Sequence, residues 1–94
     1  MRKEIEAGMQ VLDWEAPGWE QRVDVERLNI AFDCDCVLGF VYGSYWSGLE
    51  MLGEPDNFEW SIAHGFTVCG IDGNVLTDEW KSAIRSRKEQ HAEI

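Results

Sequence analysis

The sequence predicts a mainly α-helical single domain of about four helices, with a minor β-turn or hairpin near residues 66–75. Three observations predict it: helically spaced apolar residues in segment 3–16, a nearly all-apolar central segment 34–53, and a final segment with acids at its start and bases toward its end. A length of 94 residues suits one domain, spanning 1–94. We expect residues 1–2 and 89–94 to fray.

The first helix is predicted over residues 3–16. Its apolar residues recur at i, i+4, i+7 and i+11 and form one stripe: Ile5, Met9, Leu12 and Ala16. Gly8 should weaken this helix by about 1 kcal/mol relative to alanine. Pro17-Gly18 should end it, because a proline disfavours helical geometry in the residue before it. Residues 19–29 are predicted to be a loop with one helical turn, which Asp24 could cap.

The central segment predicts a buried helix, because it is apolar on nearly every face. Asp33 or Asp35 is expected to cap its start, and Gly53 to stop it. A break at Gly43-Ser44 would divide it into two pieces. One helical face has almost no side-chain bulk, and its residues are Cys36, Gly39, Gly43 and Ser47.

Two further helices are predicted after the central segment. A short one covers residues 57–64, opened by Asp56 or Asn57. The strong turn pair Asp72-Gly73 predicts the hairpin. Thr77-Asp78-Glu79 is then expected to cap the last helix, whose inner face would be Leu76, Trp80, Ala83 and Ile84.

The charge excludes a general binder of phosphate backbones. Eighteen acidic and eight basic residues give a formal charge of −10, and thirteen of the acids but four of the bases fall in residues 1–60. We therefore expect no direct nucleic-acid binding, and expect the last segment to dock partly by complementing the acidic front. An acidic mimic of DNA stays open as an alternative, although the carboxylates do not form ordered rows.

The chain is expected to lie in the cytoplasm and to bind no membrane. The longest uncharged run, residues 36–49, is too short to span a bilayer, and the start of the chain does not resemble a signal segment. Three cysteines are an odd number and imply no closed disulfide framework.

The face without side-chain bulk allows another backbone or a ligand to approach the helix closely. Tight helix packing, within the chain or in a homo-oligomer, is one reading. The other is a pocket floored by glycines and walled by Phe40, Tyr42, Tyr45 and Trp46. We expect Trp46 and Trp80 to be inside and either Trp14 or Trp19 to be partly exposed. The candidate binding residues are Trp19, Gly39, Tyr42, Gly43, Tyr45, Trp46 and His64.

The cysteines and His64 suggest two alternatives of another class. Cys34, Cys36, His64 and Cys69 have the residue types of a zinc site, but their spacing is not typical of one. Cys36 or Cys34 could instead be a nucleophile with His64 as its base, because the start of a helix can lower a thiol's pKa. The plainer interpretation is that the thiols are structural and that His64 closes a helix by bonding nearby backbone. We expect no cofactor and no enzyme activity.

The spacing of glycines and aromatics resembles small proteins encoded by actinobacteria and especially by their phages. The resemblance covers about residues 8–88, and the matching motifs are Pro17-Gly18-Trp19, Cys36-Val37-Leu38-Gly39, Tyr42-Gly43, Tyr45, Gly48-Leu49, Leu52-Gly53, His64-Gly65-Phe66 and Leu76-Thr77-x-x-Trp80. It implies a setting and no mechanism: small phage proteins commonly bind and disable host components, including defence enzymes or their nucleotide signals. The host cytoplasm would then be the site of action.

The sequence therefore favours a non-enzymatic protein that binds and neutralises a host protein. An alternative is an oligomer that sequesters a nucleotide-like signal, with ligand phosphates neutralised by Arg22, Arg27, Arg85 or Lys88.

Overall fold

The computed structural model describes residues 2–68 and 72–92, with the side chains of the last helix described as far as Gln90. These residues form α1 (Lys3–Glu15), a 3-10 turn (Trp19–Arg22), α2 (Val37–Tyr42), α3 (Tyr45–Met51), α4 (Phe58–Ala63) and α5 (Gly73–Ala92). They contain no β-strand, which confirms the mainly helical class. None of the helices in these ranges is long and apolar enough to cross a bilayer.

Helix α1 follows the predicted apolar stripe. Ile5, Met9 and Leu12 are buried, Ala16 is half-buried, and the helix ends before Pro17 as expected. Gly18 turns the chain with a φ of 84°.

Trp19 begins the 3-10 turn and is fully buried, which differs from its predicted place in a binding surface. Its ring packs edge-on against Trp80, with centroids 6.2 Å apart, and its Nε1–H donates to Asp13 Oδ1 (2.9 Å). Trp14 is the exposed member of the pair Trp14 and Trp19, at 83%. The turn after Pro17 rotates Trp19 inward, whereas Trp14 lies on the outer face of α1.

The central segment breaks where the glycine-serine pair predicts. Gly43 has a φ of 100°, and Ser44 caps α3 by accepting a hydrogen bond from the Ser47 N–H (3.1 Å). The expected aspartate cap of α2 is wrong: Cys36 is the N-cap, and its Sγ accepts from the Gly39 N–H (3.3 Å). Gly53 follows α3 with a φ of 79°, as expected of a helix stop.

The start of α5 corrects the hairpin prediction. Asp72-Gly73 opens the helix, and Asp72 Oδ1 accepts from the Asn74 N–H (2.8 Å), so residues 73–75 are helical. Residues 69–71 lie outside the described residues. Thr77 is therefore within the helix instead of capping it, and its Oγ1 accepts from the buried Ile30 N–H (3.0 Å).

Helix α5 packs its predicted inner face into the core. Leu76, Trp80, Ala83 and Ile84 are all buried, and Trp80 Nε1–H donates to the Gly65 carbonyl (2.7 Å). On its outer side two arginines reach acids of the front segment: Arg87 pairs with Asp13 (2.7 Å) and Arg85 with Glu26 (3.4 Å). The last segment thus forms ion pairs with the acidic front, where the charge distribution predicts them.

Candidate functional site

The loop before α2 is fixed by hydrogen bonds to both central helices. The Asp33 carbonyl accepts from the Cys36 thiol (3.4 Å) and from the Tyr45 N–H (2.8 Å). The loop backbone can lie this close to α2 because Gly39 has no side chain: a Cβ there would be 2.6 Å from the carbonyls of Asp33 and Cys34. This arrangement places Phe32 and Asp33 beside the start of α3.

At Gly39, the face without side-chain bulk is covered by the chain's own loop before α2. Gly39 is buried against the chain's own loop, and Gly43 lies at the helix break instead of on a continuous face. Ser47 is exposed. The reading in which glycines floor a pocket is wrong, because the loop 33–34 fills the space beside Gly39.

The same loop lines an open cleft of about 290 Å³. We call it the aromatic cleft, and its lining residues are Ile30, Ala31, Phe32, Asp33, Cys36, Tyr45, Trp46, Phe58, Phe66, Thr67 and Val68. Three of its aromatic side chains are unusually exposed: Phe32 at 59%, Phe58 at 51% and Trp46 at 44%. Exposed apolar surface gathered in one place is typical of interaction sites.

The rings of the cleft meet at right angles. Trp46 and Phe58 are edge-to-face, with centroids 5.8 Å apart, and Tyr45 and Trp46 are edge-to-face at 5.1 Å. Phe58 is the first residue of α4, and that end is fixed because Asn57 Oδ1 accepts from the Trp60 N–H (3.0 Å). The starts of α3 and α4 thus position the rings of Trp46 and Phe58 at right angles in the cleft.

The inner part of the cleft is rigidly supported. Tyr45 is buried, and its hydroxyl donates to the buried Ser61 Oγ (2.7 Å), so its ring is anchored between α3 and α4. Phe66 is also buried and stacks on Trp80 with centroids 5.9 Å apart. The exposed rings therefore lie next to buried residues that are fixed by a hydrogen bond and by ring stacking.

Comparison of the chain with family models, with curated proteins and with solved structures finds no match.

The aromatic cleft has an acidic and no basic member. Its lining includes Asp33, and none of the described residues that line it is a lysine or an arginine. Burial first, and the Asp33 carboxylate to a smaller extent, raise the pKa of the Cys36 thiol, which also lines the cleft. Two residues further on, Asp35 pairs with Arg27 (3.7 Å), whereas no ion pair of Asp33 occurs within residues 2–68 and 72–90.

Only some of the predicted binding residues line the aromatic cleft. Tyr45 and Trp46 do meet in the aromatic cleft, although Trp46 is exposed and not inside as predicted. Tyr42 does not line the cleft. It is half-buried, and burial first and the nearby Glu15 carboxylate second raise the pKa of its hydroxyl.

His64 lies at another surface. Its Nδ1 is 2.7 Å from the Trp60 carbonyl oxygen, and its ring stacks on Trp60 with centroids 4.2 Å apart. This matches the plainer interpretation, in which the histidine closes α4 by bonding nearby backbone. With Trp14, His64 lines a separate depression of about 310 Å³ between α1 and α4.

Of the three cysteines, the structure describes Cys34 and Cys36. Burial is the largest cause that raises the pKa of Cys36 to about 11, which reverses the expectation that the helix start would lower it. Cys34 is exposed. No cluster of three or more potential ligands occurs among the described residues, and Cys69 lies outside them.

The basic residues of the nucleotide hypothesis are engaged elsewhere. Arg85 and Arg27 form the ion pairs given above. Arg22 Nη1 donates to the Val41 carbonyl (3.4 Å), and Lys88 Nζ donates to the Val23 carbonyl (3.0 Å).

The sequence reasoning missed Phe32 and Phe58. Each is an aromatic residue that directly precedes an acid, in Phe32-Asp33 and Phe58-Glu59. An aromatic residue placed among acids outside a periodic apolar stripe is the signal that could have indicated surface exposure.

Proposed function

We propose that this chain is a non-enzymatic binding protein that engages a protein of its host through the aromatic cleft and neutralises it. The observation that carries the proposal is the gathering of Phe32, Trp46 and Phe58, each 44–59% exposed, around one cleft. Aromatic anchors of this kind dominate binding energy at protein interfaces.

The form of the cleft suits a side chain of a protein more than a nucleotide. At about 290 Å³ it is at the lower limit of small-molecule pockets, which span roughly 300–1,000 Å³. Its carboxylate would repel phosphates, and the four basic residues of the nucleotide hypothesis bond other parts of the chain. These features favour the protein partner over the sequestered signal.

The setting comes from the resemblance to small proteins of actinobacteria and their phages. A phage protein that acts in the host cytoplasm meets host enzymes, including those of defence, and occupying an essential surface of one would inhibit it. The acidic front adds long-range attraction to a basic partner.

Capture of the partner tests the proposal. Tagged wild-type chain is incubated with lysate of an actinobacterial host, retained proteins are identified by mass spectrometry, and the purified candidate is assayed for inhibition. Trp46→Glu and Phe32→Glu should abolish both capture and inhibition, because each removes one of the exposed aromatic rings on which the partner would pack.

Trp14→Glu is the matched control. It makes the same change at an even more exposed tryptophan on α1, so it should retain capture and inhibition. Circular dichroism should show that all three variants are folded. A partner lost equally with Trp14→Glu, or retained by both cleft variants, would contradict the proposal.

A further inference from the structure

We propose that the aromatic cleft binds an arginine side chain of the partner, with the guanidinium between the exposed rings and the Asp33 carboxylate. This inference rests on the proposed function and specifies the chemistry that the cleft recognises.

The rings provide faces for a planar cation. The ring planes of Trp46 and Phe58 are perpendicular, at 90°. Phe32 lines the same cleft from the loop before α2. Cations are attracted to aromatic faces, with tryptophan the strongest partner, and arginine is found there more often than lysine. Two rings at right angles present a face and an edge, so a flat guanidinium can stack on one and contact the other.

The charge of the cleft has the matching sign. Asp33 is its one acidic lining residue, and no basic side chain lines it in the described part of the chain. A guanidinium can donate two parallel hydrogen bonds to a carboxylate, which an ammonium cannot do in the same geometry. The combination of a carboxylate with aromatic faces therefore selects arginine over lysine and over an uncharged apolar side chain.

Apart from Asp33, the described lining residues of the cleft are uncharged. Cys36 is a neutral thiol there, because burial keeps its pKa near 11. The Tyr45 hydroxyl is directed to Ser61 and not to the opening. The stem of a bound arginine can thus pack against apolar surface while its guanidinium pairs with the carboxylate of Asp33, which is exposed, as an amphipathic side chain requires.

Peptide titration followed by NMR tests the proposal on the full chain. The probes are acetyl-Gly-Arg-Gly-amide and the same peptide with citrulline, which has nearly the same shape as arginine but no charge. We expect the arginine peptide to bind at least ten-fold more tightly than the citrulline peptide, with shifts confined to residues of the cleft. Choline is titrated in parallel as a free quaternary ammonium ion.

Two pairs of variants locate the binding. Trp46→Leu should weaken the arginine peptide at least ten-fold, and Trp14→Leu should leave its affinity unchanged. Asp33→Asn should weaken it at least three-fold, whereas Asp35→Asn, which removes the same charge two residues away, should not. The second pair separates recognition by Asp33 from general attraction to an acidic protein.

Several results would overturn the inference. Equal binding of the citrulline and arginine peptides would mean that the cleft does not recognise the positive charge. Tighter binding of choline than of the arginine peptide would assign the cleft to a free ammonium ligand. Absence of binding at the solubility limit of the peptide would also refute it. In each case capture of a host protein that depends on Trp46 would still support the proposed function, so the two failures are distinguishable.

Discussion

Replacing Gly8 by alanine separates helix propensity from tertiary packing. Gly8 lies in the middle of α1, where alanine is favoured over glycine by about 1 kcal/mol. Judged by α1 alone, Gly8→Ala should stabilise the protein. The tertiary structure predicts the opposite sign.

The contact that reverses the sign is with the chain after α4. A Cβ on Gly8 would lie 2.2 Å from the His64 carbonyl oxygen and 3.2 Å from two ring carbons of Trp80, and Cβ contacts below 3.0 Å essentially never occur. The oxygen belongs to the backbone and Trp80 is fully buried, so neither neighbour can move without displacing other core contacts. Overpacking of this kind typically costs about 1–3 kcal/mol and occasionally more. A contact of 2.2 Å lies far below that 3.0 Å limit, so we place the cost at the upper end, about 3 kcal/mol. After subtraction of the propensity gain of about 1 kcal/mol, we expect a net loss of about 2 kcal/mol.

Urea unfolding followed by circular dichroism at 222 nm measures this loss. For a chain of this length the midpoint of thermal unfolding should fall by roughly 5–20 °C. Gly73→Ala is the control, because its Cβ would make one ordinary contact, 3.7 Å from a methyl group of Val68. It should change the free energy of unfolding by less than about 0.5 kcal/mol. A Gly8→Ala variant as stable as the wild type, or more stable, would refute the close approach of α1 to residue 64.

Three further predictions concern the groups that support the site and the fold. The Cys36 thiol has a pKa of about 11 in the folded chain and an ordinary value of 9 in the unfolded chain. As pH rises the unfolded chain therefore loses this proton first, and the free energy of unfolding should fall by roughly 2–3 kcal/mol between pH 9 and pH 11. Urea titrations under reducing conditions should show a smaller dependence on pH in Cys36→Ser, and an unchanged dependence would contradict the prediction. Tyr45→Phe should cost about 1–2 kcal/mol by chemical denaturation, because the buried Ser61 hydroxyl loses its partner; a loss below about 0.3 kcal/mol would count against that bond. Arg87→Met should cost no more than about 1 kcal/mol, and the difference should shrink in 1 M salt, because its pair with Asp13 is partly exposed; a larger, salt-independent loss would assign Arg87 a packing role.

The candidate site was half predictable. The sequence indicates Tyr45 and Trp46 as aromatic walls beside the face without side-chain bulk, and both line the aromatic cleft. Phe32 and Phe58 lie 14 and 12 residues away from Trp46 in sequence, and only the fold brings them to the same opening. Their convergence depends on the hydrogen bonds of the Asp33 carbonyl and on the cap of α4, neither of which has a periodic signature.

The same distinction explains the glycines. A row of small residues predicts that a backbone comes close, since the absence of side chains is a local property. Which backbone comes close depends on the path of the loop before α2, and that loop belongs to the chain itself. The spacing of Gly39 and its neighbours therefore does not predict which segment packs against them.

What the amino-acid order determined alone is therefore local. The extent of α1, the interruption of the central helix at Gly43-Ser44 and the inner face of α5 follow from side-chain periodicity and from backbone preferences of single residues. Tertiary structure decided which tryptophans are exposed and which aromatic residues meet in the aromatic cleft. These outcomes depend on which segments, distant in sequence, occupy the same buried volume. The residue pattern within a single short segment does not determine how those segments pack.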